Sequence, residues 1–150
     1  MRLTICIAIC LGASLLGSLF TWPSLKPWYA ELAKPRWTPP NWLFGPVWTI
    51  LFLAMAFAAW LVWRQTAVTA APMRLFLLQL ILNIGWSAVF FHLRSPGAAL
   101  IEIVLLWCAI LMTALAFGRI VPLAYWLMAP YLLWVSYAAA LNFAIWRLNA

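Results

Sequence analysis

Few side chains in this sequence are able to move a proton. Glu31, Glu102 and His92 are the available acid or base groups, and they stand far apart along the chain. No pair of them has metal-ligand spacing, no glycine-rich loop is there to cradle a phosphate, and no serine sits in a nucleophile motif. Hydrolase, kinase and zinc-enzyme chemistry therefore find no footing. Cys6, Cys10 and Cys108 all fall inside apolar runs with no nearby histidine, and they read as buried small hydrophobes. What remains is aromatic and amide chemistry. Gln79, Asn83, Trp86 and Phe90 follow i, i+4, i+7, i+11, one helical face, and Tyr131, Trp134, Ala138 and Leu141 are spaced similarly. Two such stripes facing one another would make an apolar, aromatic pocket with a few polar groups to orient a ligand. The same spacing also serves interhelical packing, with Gln79 and Asn83 as hydrogen-bonding glue. Twelve tryptophans exceed what interfacial anchoring requires. Flat indole faces suit stacking on a planar ligand, and they form an oxidisable set beside any photosensitiser.

The elements that would hold these residues are membrane spans. With 69% hydrophobic residues, 7% charged and a mean hydropathy of +1.04, the chain lies far from the roughly 25% charged of soluble domains. A span needs about 20 apolar residues to cross roughly 30 Å of hydrocarbon. Five uncharged or nearly uncharged runs meet that length, about residues 3–20, 44–63, 75–93, 97–118 and 122–146, which predicts an all-α integral membrane bundle in a single domain, 1–150. Pro46, Pro72, Pro96 and Pro122 fall at or near the predicted helix starts, where a missing N–H is harmless. Pro130 lies well inside the fifth span and predicts a local kink. Glu102, near the start of span four, is expensive in lipid if ionised; its place close to Arg94 and Pro96 favours the interface over a functional role.

The formal charge is +7, but the basic residues are scattered singly, which suits interfacial anchoring near acidic headgroups and not nucleic acid. Five spans put Arg2, Arg64, Arg74 and Arg119 on one side and Lys26, Lys34, Arg36, Arg94 and Arg147 on the other, a balance that sets no orientation. Span one has the layout of a signal peptide, with Arg2 before an apolar run, yet the run is longer than an ordinary signal core. Its small residues Ala8, Gly12, Ala13 and Gly17 have the spacing that lets helices approach closely, and they predict a homodimer through this span. The connection from about Thr21 to Leu43 is rich in proline and tryptophan. Two readings stand: a stiff cap over the bundle, or an aromatic belt at the headgroups.

The run Trp28-Tyr29-Ala-Glu-Leu-Ala-Lys34-Pro35-Arg-Trp37-Thr-Pro39-Pro40-Asn-Trp42-Leu-Phe-Gly45-Pro46-Val47-Trp48 resembles the signature of the translocator protein family, also described as tryptophan-rich sensory proteins or peripheral-type benzodiazepine receptors. Further matches are Gln79-Leu-Ile-Leu-Asn83-Ile-Gly-Trp86 with Phe90-Phe91, Pro130-Tyr131-Leu132-Leu-Trp134, and Leu141-Asn142-Phe-Ala-Ile-Trp146-Arg147. The resemblance implies a five-helix bundle whose long first loop caps a ligand pocket. It implies porphyrin-type tetrapyrroles such as protoporphyrin IX, sterols and benzodiazepine-type drugs as ligands, with no cofactor required. By motif it places Tyr29 and Pro39 at the lid, Trp48 in the wall from span two, Asn83 and Trp86 in span three, and Trp134, Ala138 and Leu141 in span five. Trp48 and Trp134 match positions linked in bacterial relatives to light-dependent porphyrin breakdown. The family's sterol motif wants a tyrosine where Leu141 and Arg147 here flank Phe143, which counts against sterol transport. The short C-terminal end, without a long polar tail, leans towards a microbial member and a bacterial cell membrane.

Overall fold

The computed structural model describes residues 1–150 and consists of five long helices with no strand. Helix α1 covers Arg2–Ser24 and runs on as a π-helical segment, Leu25–Tyr29. Helix α2 covers Asn41–Trp63, and α3 covers Ala71–Ser87 before a second π-helical segment, Ala88–His92. Helices α4, Pro96–Gly118, and α5, Pro122–Asn149, complete the bundle. All five are long and apolar enough to cross a membrane. Large aliphatic side chains such as Leu15, Ile50, Ile81, Ile101 and Leu133 are exposed on the outer surface. In water that surface would drive association, whereas hydrocarbon solvates it, and helical hydrogen bonding leaves few backbone groups unpaired in the lipid. The chain is an integral, multi-pass membrane protein.

Prolines start three of the helices: Pro72, Pro96 and Pro122 occupy the first or second helical position. Pro46 departs from its expected place. Helix α2 begins earlier than the apolar run, at Asn41, so Pro46 lies inside it and withholds a hydrogen bond from the Trp42 carbonyl. Pro23 likewise lies inside α1, and Pro130 inside α5, with the helix continuing past each. The first loop is correspondingly shorter than the charge and proline pattern suggests. Helical structure reaches Tyr29 and resumes at Asn41, leaving residues 30–40 as the connection.

Alternating helix directions bring Arg2, Arg64, Arg74 and Arg119 to one end of the bundle. There the Arg2 guanidinium donates to the Trp63 carbonyl at 2.9 Å and lies over the Trp63 ring, joining the start of α1 to the end of α2. The main core lies between these ends. Met55, Ala59 and Val62 of α2 meet Phe76 and Leu80 of α3, Ile103 and Ile110 of α4, and Met128 and Val135 of α5. Since lipid is as apolar as these side chains, close van der Waals packing holds the helices together, and small residues such as Ala56, Ala109 and Ala114 permit it. A second, smaller cluster, which includes Tyr29, Phe90, Phe91, Leu141 and Ile145, sits at the loop end.

Two expectations change at the level of single side chains. Cys6 and Cys10 are buried, but Cys108 is exposed on the outer face of α4. The small residues of α1 do not share one face. Ala13 and Gly17 are buried in the bundle, whereas Ala8 is exposed and a side chain built on Gly12 would meet nothing within 4 Å. Glu102 lies against Gly85 of α3, so close that a Cβ there would be 2.8 Å from the carboxylate oxygen.

Candidate ligand-binding site

A cavity of about 400 Å³ opens between the two core clusters, in the half of the bundle nearest the loop. Its walls come from four helices. Helix α2 supplies Phe44, Trp48 and Phe52, α3 with its π-helical continuation supplies Asn83, Trp86, Ser87, Phe90 and Phe91, and α5 supplies Ala138, Leu141, Asn142 and Ile145. Helix α1 completes the wall with Ser14, Gly17, Ser18 and Thr21, and Tyr29 stands at the top.

The π-helical segments shape this wall. A π-turn inserts an extra residue and turns the following side chains round the axis. In α3 it leaves Phe90 and Phe91, adjacent in sequence, both buried, with ring centroids 4.8 Å apart. Trp86 packs on Phe90 at 5.5 Å, and Tyr29 packs on Phe91 at 5.7 Å. The buried Ser24 hydroxyl donates to the Phe91 carbonyl at 2.8 Å, tying the end of α1 to this irregular turn. Gly17 allows α1 to lie close to α3: a Cβ there would be 3.3 Å from the Ser87 hydroxyl.

Two amides set the polar groups. The Asn83 amide nitrogen donates to the Tyr131 hydroxyl at 2.9 Å, leaving its other end for a molecule in the cavity. Asn142 accepts from the Trp86 indole N–H at 3.0 Å and donates to the Pro96 carbonyl at 2.7 Å, which holds that indole in one orientation. The lining contains no carboxylate, imidazole, thiol or basic group. Glu31 and His92 are exposed, Glu102 rests on Gly85, and none of the three lines the cavity. The arrangement is suited to enclosing, stacking and hydrogen bonding, with the Tyr29 phenol as the titratable side chain of its lining.

The loop is a structured cap. The Lys34 ammonium donates to the Tyr29, Ala30 and Leu32 carbonyls at 2.7, 3.1 and 3.0 Å and lies 4.9 Å from the Tyr29 ring centroid. It thus satisfies carbonyls left open where the helix ends. Tyr137 donates to the Trp37 carbonyl at 2.7 Å, and the Asn149 side chain pairs with both the N–H and the carbonyl of Ala33. Both contacts fasten the cap to α5.

Of the residues singled out in the sequence, Tyr29, Trp48, Asn83, Trp86, Ala138 and Leu141 meet at the cavity, and Pro39 and Trp134 do not line it. Trp134 forms a layer behind the wall. Its ring is 6.5 Å from Trp48 and 6.0 Å from Phe44, both edge-on, and its indole N–H is buried without a partner. Gln79 is also out of reach, fully buried one turn below Asn83, with a weak contact to the Met55 sulfur. In the sterol-like segment Leu141 faces the cavity while Phe143 and Arg147 are exposed, so the three share no surface. The α1 wall was missed although Ser14, Gly17, Ser18 and Thr21 follow i, i+3, i+4, i+7, a polar helical stripe legible in the sequence. Asn142 and Ile145 extend the Ala138 and Leu141 stripe by the same rule.

Residues 6–147 match the TspO/MBR family. The chain is 48% identical to the tryptophan-rich protein TspO of Chlorobaculum tepidum, over 99% of this chain and 96% of the relative. It is 39% identical to the human translocator protein, over 89% of this chain and 81% of the relative. The tryptophan-rich sensory protein of Cereibacter sphaeroides is 35% identical, over 95% and 88% of the two chains.

Proposed function

The chain belongs to the TspO/MBR family, and on that premise we propose that it is a membrane receptor or carrier which binds porphyrin-type tetrapyrroles, protoporphyrin IX among them, in the cavity beneath the cap. Such binding would serve tetrapyrrole handling or stress signalling. The observation that carries the reading is the wall itself. Trp48, Trp86, Phe90 and Phe91 offer flat apolar faces, Asn83 and Asn142 add oriented amides, and no carboxylate, imidazole, thiol or basic group intrudes. A planar macrocycle gains from the aromatic faces, while its polar edge needs only a few hydrogen bonds. The test is saturable quenching of tryptophan fluorescence by protoporphyrin IX in lipid. Trp86→Ala removes a face of the wall and should weaken binding about tenfold, roughly 1.4 kcal/mol. Trp63→Ala, at the opposite end beside Arg2, should leave it unchanged. Equal effects of the two, or quenching no different from that of an unrelated tryptophan-rich membrane protein, would defeat the assignment.

A second reading is light-dependent porphyrin degradation, and a specific contact favours it. Trp48 in the wall and Trp134 behind it form an edge-on indole pair with centroids 6.5 Å apart, so an oxidisable relay leads away from the bound ring. That activity requires only a bound sensitiser, oxygen and light. Continued loss of porphyrin over many equivalents of protein under illumination, and none in the dark, is its signature.

A further inference from the structure

The cavity wall is not uniformly closed. On α3 and α5 the lining residues Asn83, Ser87, Phe90, Ala138, Leu141 and Asn142 are all buried. On α1 and α2 the lining residues Ser18, Trp22, Trp42, Gly45 and Thr49 are exposed on the outer surface of the bundle as well. A residue that borders the cavity and also faces outward marks a mouth, so the opening lies between α1 and α2. From these observations, and resting on the tetrapyrrole-binding reading above, we propose that this gap is a lateral entrance through which a bilayer-dissolved, planar amphiphile passes into the cavity without crossing the cap.

Depth supports the route. Ser18 lies about 24 Å along α1 from Arg2, and Thr49 about 12 Å along α2 from Asn41, at 1.5 Å per residue. Both heights fall within a hydrocarbon layer of roughly 30 Å when the helices span it. The mouth therefore faces acyl chains. Toward the loop end the cavity is bordered by the buried Tyr29, and the loop beyond it is fastened to α5 by Tyr137 and Asn149. At the other end, α1 and α2 are joined by Arg2 and Trp63, so the gap is confined to the loop half.

The chemistry of the lips fits a ligand arriving from lipid. The hydroxyls of Ser18, Thr21 and Thr49 donate to the carbonyls of Ser14, Gly17 and Gly45 on their own helices, each at 2.9 Å. No unsatisfied hydroxyl proton is presented to the hydrocarbon. The small side chains leave space: a Cβ on Gly45 would meet no atom within 4 Å. Trp22 and Trp42, both well exposed, stand at the headgroup end of the lips, where indoles are at home.

The experiment places protoporphyrin IX in phosphatidylcholine vesicles and follows association and dissociation by stopped-flow tryptophan quenching. Gly45→Leu narrows the mouth from α2 and Ser18→Leu from α1. The first fills open space and replaces a poor helix former, so the fold tolerates it. Each should slow association by tenfold or more, the rate that a mouth controls, whatever the added bulk in the lining does to Kd. Asn149→Ala, which loosens the cap, should leave both rates unchanged. Unaltered rates in both mouth variants overturn the proposal. So does faster dissociation alone, which would make these residues wall and not entrance, or faster exchange in Asn149→Ala, which would put the route through the cap. Saturable wild-type binding with any of those results sinks the entrance only; no saturable binding sinks the tetrapyrrole reading and the entrance with it.

Discussion

Substituting Asn142 by leucine would separate the role of Trp86 as a ligand surface from its role in packing. Asn142 is 1% exposed and makes two hydrogen bonds across the bundle, accepting from the Trp86 indole and donating to the Pro96 carbonyl. Leucine keeps the volume and removes both. Interhelical hydrogen bonds in membranes contribute about 0.6 kcal/mol on average and up to about 1.7 each, so the pair amounts to about 1 to 3 kcal/mol of stability. The indole N–H is then left without an acceptor, and the ring is free to turn on Phe90 and Phe91. A stacking contact contributes about 0.5–1.5 kcal/mol beyond area burial, so losing the fixed orientation should weaken protoporphyrin IX binding by roughly two- to tenfold. Ser136→Ala is the matched control, because Ser136 accepts from the Trp107 indole at 2.8 Å on the outer surface, away from the cavity. It should lower stability by about 0.6 kcal/mol and leave binding intact. Unfolding in mixed detergent gives the stability change, and equilibrium quenching gives the affinity. If Asn142→Leu loses the expected stability yet binds porphyrin like wild type, ring packing alone orients Trp86 and the amide has no part in the site.

Gly17→Leu should destabilise the protein by about 1–3 kcal/mol, the usual consequence of overpacking, because its Cβ would already press on Ser87 at 3.3 Å; an unchanged thermal midpoint would show that α1 is free to move away from α3. Gly12→Leu meets open space and should leave the protomer's thermal midpoint unchanged while lowering the homodimer fraction in native-membrane crosslinking; an equal fraction would exclude the outer face of α1 as the dimer interface. Trp48→Phe with Trp134→Phe should keep porphyrin binding within about tenfold, or roughly 1.4 kcal/mol, yet nearly abolish light-dependent porphyrin loss. Trp134→Phe alone should leave binding unchanged, since that ring lies behind the wall; a loss as large as for Trp86→Ala would mean that the cavity extends to it.

The spans were legible because hydrocarbon imposes one rule on every residue of a helix, and the sequence obeys it without a charge in four of the five. The ends were less so. Prolines 23, 27 and 46 read as punctuation, yet a proline near a membrane surface withholds only one hydrogen bond, and headgroup water is at hand for the freed carbonyl. Helical structure therefore continued to Tyr29 and began again at Asn41. At the site, periodicity put Asn83, Trp86, Ala138 and Leu141 on inward faces, where they are. Periodicity carries no depth, however, so Gln79 and Trp134 share those faces while standing below the cavity and behind its wall. The α1 wall escaped for another reason. Glycine and serine at helical spacing serve close packing and an open space equally well, and on α1 they serve both within one turn: Gly17 touches Ser87, and Ser18 borders the mouth.

The size of the cavity bears on how selectivity can arise. An enclosed, empty space of 400 Å³ at about 24 cal/mol per Å³ would cost about 10 kcal/mol. That is comparable to the whole stability of a typical fold, about 5–15 kcal/mol. A cavity with its side open to the bilayer escapes this cost, because acyl chains reach the surfaces that a sealed void would leave without contacts. A ligand that enters then replaces hydrocarbon and not water, so burial of its apolar area brings little net gain. Affinity must come from what an acyl chain lacks: a rigid flat face for Trp48, Trp86 and Phe90, and polar edges for the free end of Asn83. Flexible chains of equal apolar area have neither, and they also lose conformational freedom on entering. Saturated fatty acids should therefore compete weakly with protoporphyrin IX, with at least tenfold lower apparent affinity at equal concentration in the bilayer. Competition at parity would mean that the cavity selects by apolar volume alone and that its aromatic wall is packing.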